Sequence, residues 1–201
     1  MAVTAFLHQK GGTGKSTLAI AAAIALAGDG KSVLLVDADP QGTASEWGNR
    51  FGERFGVETH THIQPTFPAL IPSLRRQWPT ILIDGPPSLS EVTESILKAC
   101  DRVIIPARPS LPDLWALPWF AAVVRKLQRE GRALQPLLVF NMVDGEPLEP
   151  LFEEVRACSL PVWERSIPED DSLAGLFAGG RLSEPLAEML LQLVEDPDTA
   201  A

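Results

Sequence analysis

His8-Gln9-Lys10-Gly11-Gly12-Thr13-Gly14-Lys15-Ser16-Thr17 is the stretch on which the reading of this chain turns. Before it, Ala2–Leu7 is a short apolar run that reads as a buried strand. After it, Ser16–Ala27 is a run of good helix formers ended by Gly28 and Gly30. Glycines at 11, 12 and 14 let the backbone turn its N–H groups toward one centre, and the start of the helix adds its positive end. Together they form a cradle for phosphate oxygens. Lys15 can lay its ammonium on the outer phosphates and Ser16 can offer its hydroxyl to Mg2+. Gly11, Gly12, Thr13, Gly14, Lys15, Ser16 and Thr17 are therefore the candidate nucleotide-binding residues. The general G-x-x-x-x-G-K-[ST] pattern would need glycine at position 9, where this chain has Gln9; the form present is K-G-G-x-G-K-[ST]. A glycine-rich turn with an incidental lysine is the competing reading. The joint arrival of strand, spacing, Gly-Lys-Ser-Thr and long helix disfavours it.

Outward from that turn the chain alternates. Ser32–Val36, Thr80–Ile83, Arg102–Ile105, Leu137–Phe140 and Leu160–Trp163 read as strands. Thr43–Arg50, Ala69–Trp78, Glu91–Lys98, Leu111–Glu130, Leu148–Ala157, Asp170–Phe177 and Glu184–Val194 read as helices. Pro112 is expected in the first turn of its helix and Pro118 to kink it; 52–68 gives only a weak signal. Such alternation predicts an α/β fold, a mostly parallel sheet with helices on both faces. Ligands of such sheets bind beyond the carboxyl ends of the strands. Lys10–Thr17, Asp37, Asp39, Asp84 and Asn141 all follow apolar strand runs, so they should share one rim.

Length and composition suit one globular domain over 1–201, with 195–201 as a flexible tail. Hydrophobic residues are 45% of the chain and charged residues 21%. Cys100 and Cys158 form no CxxC pair, and no run approaches the roughly 18 apolar residues of a membrane span. A cytoplasmic protein is the expectation. Net charge is −9, which opposes polyanions unless basic residues gather on one face. His8, His60 and His62 follow no ligand pattern, and the last two suit an exposed strand face.

The phosphate stretch resembles the deviant Walker A motif of the ParA/MinD family of P-loop ATPases, whose mark is the extra lysine, here Lys10. Val33-Leu34-Leu35-Val36-Asp37-Ala38-Asp39-Pro40-Gln41-Gly42 is similar to that family's D-x-D-P-Q-G block. Ile81-Leu82-Ile83-Asp84-Gly85-Pro86-Pro87 is similar to its Walker B strand, and further blocks lie at Ile104–Trp115 and Phe140-Asn141. The resemblance runs in order over about three-quarters of the chain and is nearest to the small plasmid-type ParA proteins.

The resemblance implies ATP with Mg2+, hydrolysed to ADP and phosphate in a homodimer that sandwiches two nucleotides. Lys10 would reach the partner's phosphates, and Lys15 and Asp39 complete the implied catalytic set, Asp39 orienting the attacking water. Ser16, Asp37 and Asp84 would serve the metal, although Asp37 and Asp39 could equally cap a turn. Asn141 would face the base, as would Pro168 in a loop at Ile167-Pro168-Glu169; a strand-end cap is the plainer reading of Asn141. A ParB-like or small adaptor protein would stimulate hydrolysis, and nonspecific DNA would hold the dimer at the nucleoid. Arg125, Lys126, Arg129 and Arg132 are the candidate DNA contacts, with 125, 129 and 132 on one face, against the alternative of a solvated helix face. A metabolic P-loop ligase and a MinD-like positioning ATPase remain as alternatives. The acidic, proline-broken Val194–Ala201 disfavours a MinD-like membrane contact.

Overall fold

The computed structural model describes residues 2–145 and 147–195. Chain order gives β1 (Ala2–Phe6), α1 (Lys15–Gly28), β2 (Val33–Asp37), α2 (Thr43–Trp47), α3 (Glu53–Phe55), β3 (Val57–Thr61), α4 (Phe67–Leu74), β4 (Thr80–Asp84) and α5 (Glu91–Ala99). The remainder is β5 (Arg102–Ala107), α6 (Leu111–Leu114), α7 (Leu117–Arg129), β6 (Gln135–Val143), α8 (Phe152–Cys158), β7 (Val162–Pro168), α9 (Asp171–Gly175) and α10 (Glu184–Glu195). The strands form one seven-stranded sheet in the order β3-β2-β4-β1-β5-β6-β7, and each neighbouring pair is parallel.

The strands' two-residue period sorts their side chains onto two cores. Ala5, Val36, Ile83, Ile105 and Phe140 face one way, against α4, α5, α7 and α8. Phe6, Leu35, Leu82, Ile104 and Val139 face the other way, against α1, α2, α9 and α10. Both faces being covered explains why the central strands read as unbroken apolar runs. Arg102, buried at the start of β5, donates from Nη1 to the carbonyls of Leu193 (3.4 Å) and Val194 (2.6 Å), fastening the end of α10 to the sheet.

Several expectations need correction. β3 lies in the stretch that gave almost no signal. Pro118 does not kink one long helix: α6 stops at Leu114, and α7 begins with Pro118 in its first turn, where the missing N–H is no loss. β7 runs on to Pro168, so Ile167 and Pro168 end an edge strand rather than occupy a loop. Glu195, assigned to the tail, closes α10 and pairs with Lys31; the rest of the expected tail, 196–201, lies outside the described residues. Among the described residues no helix is long and apolar enough to cross a membrane.

Candidate nucleotide-phosphate site

Parallel strands bring their carboxyl ends to one rim, and the register there is close. Asp84 pairs in register with Asp37 on β2 and with Phe6, the last residue of β1. The glycine-rich turn leaves β1 at the middle of that rim. Gly12 and Gly14 hold φ of 76° and 91°, in the left-handed region that favours glycine. At Gly14 space is a second constraint, because a Cβ would stand 2.2 Å from Asn141 Nδ2. That amide donates to the Thr13 carbonyl at 2.9 Å, so Asn141 ties the end of β6 to the loop. Its Oδ1 is buried and accepts nothing.

The two lysines of the loop take separate stations. Lys15, buried at the start of α1, turns back so that Nζ donates to the Lys10 carbonyl at 3.1 Å. Burial lowers its pKa, and Asp84 and Asp39 counter that. Lys10 points away from the loop's centre. Its Nζ meets Asp113 Oδ2 at 2.6 Å, with the lysine side chain 42% exposed and the aspartate 3%. Ser110 Oγ donates to the same oxygen at 2.6 Å. Burial pushes the Asp113 carboxyl up, but the Lys10 ammonium and the Ser110 hydroxyl outweigh it, and the net shift is downward. Beside this pair His8, also buried, accepts the Lys10 N–H on Nδ1 at 3.0 Å. Burial and then Lys15 hold its imidazole down at about 4, neutral near pH 7.

The carboxylates divide the work. Asp37 Oδ1 accepts the Asp39 N–H (3.1 Å) and Oδ2 the Ser45 N–H (2.6 Å), so this side chain holds the 38–45 turn in shape. Asp39 Oδ1 accepts the Gln41 N–H at 3.0 Å. Turn-holding, the plainer of the two readings, is thus what both visibly do in this conformation. Asp84 differs. Both of its oxygens are buried with no partner in hydrogen-bond geometry. Burial lifts its carboxyl to about 7, and the nearby Ser16 hydroxyl only pulls it part of the way back. A buried carboxylate aimed at a phosphate loop, with a serine hydroxyl beside it, fits a hard divalent cation that draws most of its oxygens from phosphate and water. Among the described residues no group of three or more His, Cys, Asp or Glu could hold a metal alone.

Next to the loop is a cavity of about 310 Å³ whose lining includes Thr17, Asn141, Met142, Pro168, Asp170 and Leu173. Lys10–Thr17, Asp39, Asp84, Asn141 and Pro168 therefore share one end of the sheet. The candidate DNA contacts do not join them. Arg125 Nη1 donates to the Cys158 carbonyl (2.9 Å) and Arg132 Nη2 to the Cys100 carbonyl (2.9 Å). Arg132 follows the end of α7, so 125, 129 and 132 form no single helical face. Asp113 and Ser110 were missed in the sequence, where Asp113 reads as an ordinary acid in a first helical turn. Only the contact with Lys10 gives it a part, and no local signal announces a contact between residues so far apart. His60 lies exposed on edge strand β3, as expected.

Residues 4–182 match the family described as the CobQ/CobB/MinD/ParA nucleotide binding domain. The chain is 37% identical over 169 residues to a maintenance of carboxysome distribution protein A from Gloeobacter kilaueensis, covering 83% of this chain and 73% of that protein. It is 34% identical over 187 residues to the chromosome-partitioning ATPase Soj of Thermus thermophilus, covering 76% and 73%. Among solved structures, cobyrinic acid a,c-diamide synthase from Mycobacterium smegmatis with a bound ATP analogue and magnesium superposes with a TM-score of 0.77 at 23% identity, over 100% of this chain and 98% of the other. A plasmid partition protein from Borrelia burgdorferi gives 0.68 at 21% identity, over 96% and 99%. At those identities the two structures speak for the fold. The match over most of the chain, with the two curated relatives, places this protein in the CobQ/CobB/MinD/ParA nucleotide-binding family.

Proposed function

We propose that this chain is a ParA-type ATPase that binds ATP with Mg2+, pairs with a second copy around two nucleotides, and positions DNA or a protein cargo. The observation that carries this reading is the separation of the two lysines: Lys15 serves its own loop, while Lys10 stands outward and 42% exposed on Asp113. A lysine so placed is available to phosphates that a second protomer brings.

Within one protomer the loop amides and Lys15 hold the phosphate chain. Ser16 and Asp84 would hold the cation, which would supply positive charge to neutralise the phosphates. Asp39, 8% exposed beside Lys15, is the carboxylate assigned to orient the attacking water. Asn141 and Pro168 border the base. Lys10 is the trans-acting cation, and releasing it from Asp113 requires a stronger anion than a buried, hydrogen-bonded carboxylate. That competition makes hydrolysis slow until dimerisation, when an adaptor can accelerate it. The relatives named for chromosome partitioning and carboxysome distribution support partition or positioning as the purpose. Nonspecific DNA binding at the nucleoid belongs to the same proposal, as does a single domain spanning the chain.

Sedimentation of wild type and Lys10→Ala, with ADP or a nonhydrolysable ATP analogue plus Mg2+, tests it. The expected outcome is a dimer for wild type with the analogue alone, and no dimer or no turnover for the variant. A protein that binds ATP yet stays monomeric in every state would reject the sandwich and favour a metabolic P-loop ligase.

A further inference from the structure

Arg108 follows β5 on the same rim as the glycine-rich loop, inside the Ile104–Trp115 block, where no role is read for it. Its guanidinium Nη2 lies 3.4 Å from where a Cβ on Gly12 would stand, so the side chain lies over the loop. The backbone at that point is constrained. Pro109 restricts the residue before it to extended conformations, and the Ser110 N–H closes a tight turn onto the Arg108 carbonyl at 2.7 Å. Arg108 is exposed, and among the described residues it makes no hydrogen bond or ion pair. The chain has 26 acidic side chains against 17 basic ones, yet among the described residues the guanidinium over the loop has no acidic partner. The nearest candidate by sequence, Asp113, is taken by Lys10 and Ser110. Solvated and unpaired, the guanidinium adds to a local positive field of inward-turned amides and a buried lysine that favours an anion.

We infer that Arg108 is a phosphate-contacting residue of this site, a third cation after Lys15 and Lys10, closing over the phosphate chain of a nucleotide held by the loop of its own protomer. The inference rests on the nucleotide-binding reading above. A guanidinium suits the task because its fork can meet two phosphate oxygens at once, which an ammonium cannot do. Buried Thr13, whose Oγ1 has no partner, is a second polar group in the loop that the fold leaves unsatisfied.

The test is the affinity of full-chain wild type, Arg108→Ala and Arg108→Lys for a nonhydrolysable ATP analogue with Mg2+ and for adenosine, with each variant's melting temperature as control. Replacing an exposed charge-assisted contact by alanine should weaken the ATP analogue by about 5- to 20-fold, with lysine between. Adenosine affinity and melting temperature should not move. Arg108→Ala binding the analogue as wild type does would overturn the assignment and leave the nucleotide site standing. An equal loss for adenosine and the analogue would also overturn it, since the effect would not follow the phosphates. Wild type that binds no nucleotide at all would overturn both readings.

Discussion

Asp84 shows how one buried side chain can cost stability. Its carboxyl is raised to about 7, chiefly by burial, so the folded chain holds a proton that the unfolded chain gives up near the ordinary aspartate value of about 3.9. A raised carboxyl contributes most to stability at low pH, and that contribution is lost as pH rises through the folded value. The nucleotide-free protein should therefore lose stability between about pH 4 and pH 7. Asp84→Asn should remove that slope and raise stability at pH 7.5 by up to about 4 kcal/mol, on the order of 10 °C in melting temperature. The same variant should lose Mg2+-dependent tightening of ATP binding. Thermal unfolding across pH, with and without Mg2+ and ATP, reads both effects; an unchanged pH slope would show that Asp84 is not the group responsible. Asp84 was legible in the sequence because a strand as apolar as Ile81-Leu82-Ile83 has no structural use for a terminal carboxylate. Lys15 was legible through its glycines. Arg108 and Asp113 lay in the Ile104–Trp115 block, but no part could be read for them there, since what each meets in space is set by residues far away in sequence.

Among the elements, β3 shows the limit of reading by pattern. Val57-Glu58-Thr59-His60-Thr61 has only Val57 buried, because an edge strand has one neighbour and need not be apolar on both faces. A sequence reading that looks for continuous apolar runs finds the central strands and passes over such an edge. β3 is held by pairing with β2 along its length and by close packing against the wide π-type turn Gly48–Gly52 that extends α2. A Cβ at Gly48 would stand 2.1 Å from Thr59 Oγ1 and 2.6 Å from Thr59 Cβ. Gly48 has helical φ and ψ of −60° and −44°, so alanine suits its backbone and only space forbids it. Gly48→Ala should destabilise the protein by about 1–3 kcal/mol, the usual cost of overpacking. Adding Thr59→Ala removes the two nearer atoms and should recover part of that loss. Urea unfolding of the single and double variants measures the coupling; equal stability of Gly48→Ala and wild type would mean the strand yields without cost. The α6–α7 break was hidden for another reason: a proline in a helical pattern signals an interruption or a start equally well, and here Pro118 starts α7.

For the whole molecule the open balance is between a net charge of −9 and the proposed hold on DNA. α7 leads from the rim side back to the start of β6, which pairs with the start of β5, so its last turn, with Lys126 and Arg129, lies toward the end of the sheet opposite the glycine-rich loop. Arg132 is spent on the Cys100 carbonyl and Arg125 in part on the Cys158 carbonyl. A dimer joined at the phosphate rim would hold its two copies of this cluster apart, each with about three cations, instead of merging them into one stripe. Three phosphate contacts give a log affinity that falls with log salt at a slope of about −2.7, or about 40-fold weaker binding between 50 and 200 mM. Fluorescence anisotropy of a labelled duplex, titrated with the ATP-analogue form at the two salt concentrations, measures that slope. Lys126→Ala with Arg129→Ala should lower it toward −1 and weaken binding at every duplex sequence alike, because phosphate contacts carry no sequence preference. A much steeper slope that survives the double variant would place the DNA surface on other cations. Binding absent in every nucleotide state would mean that the acidic surface prevails, and that any positioning by this protein runs on a scaffold other than DNA.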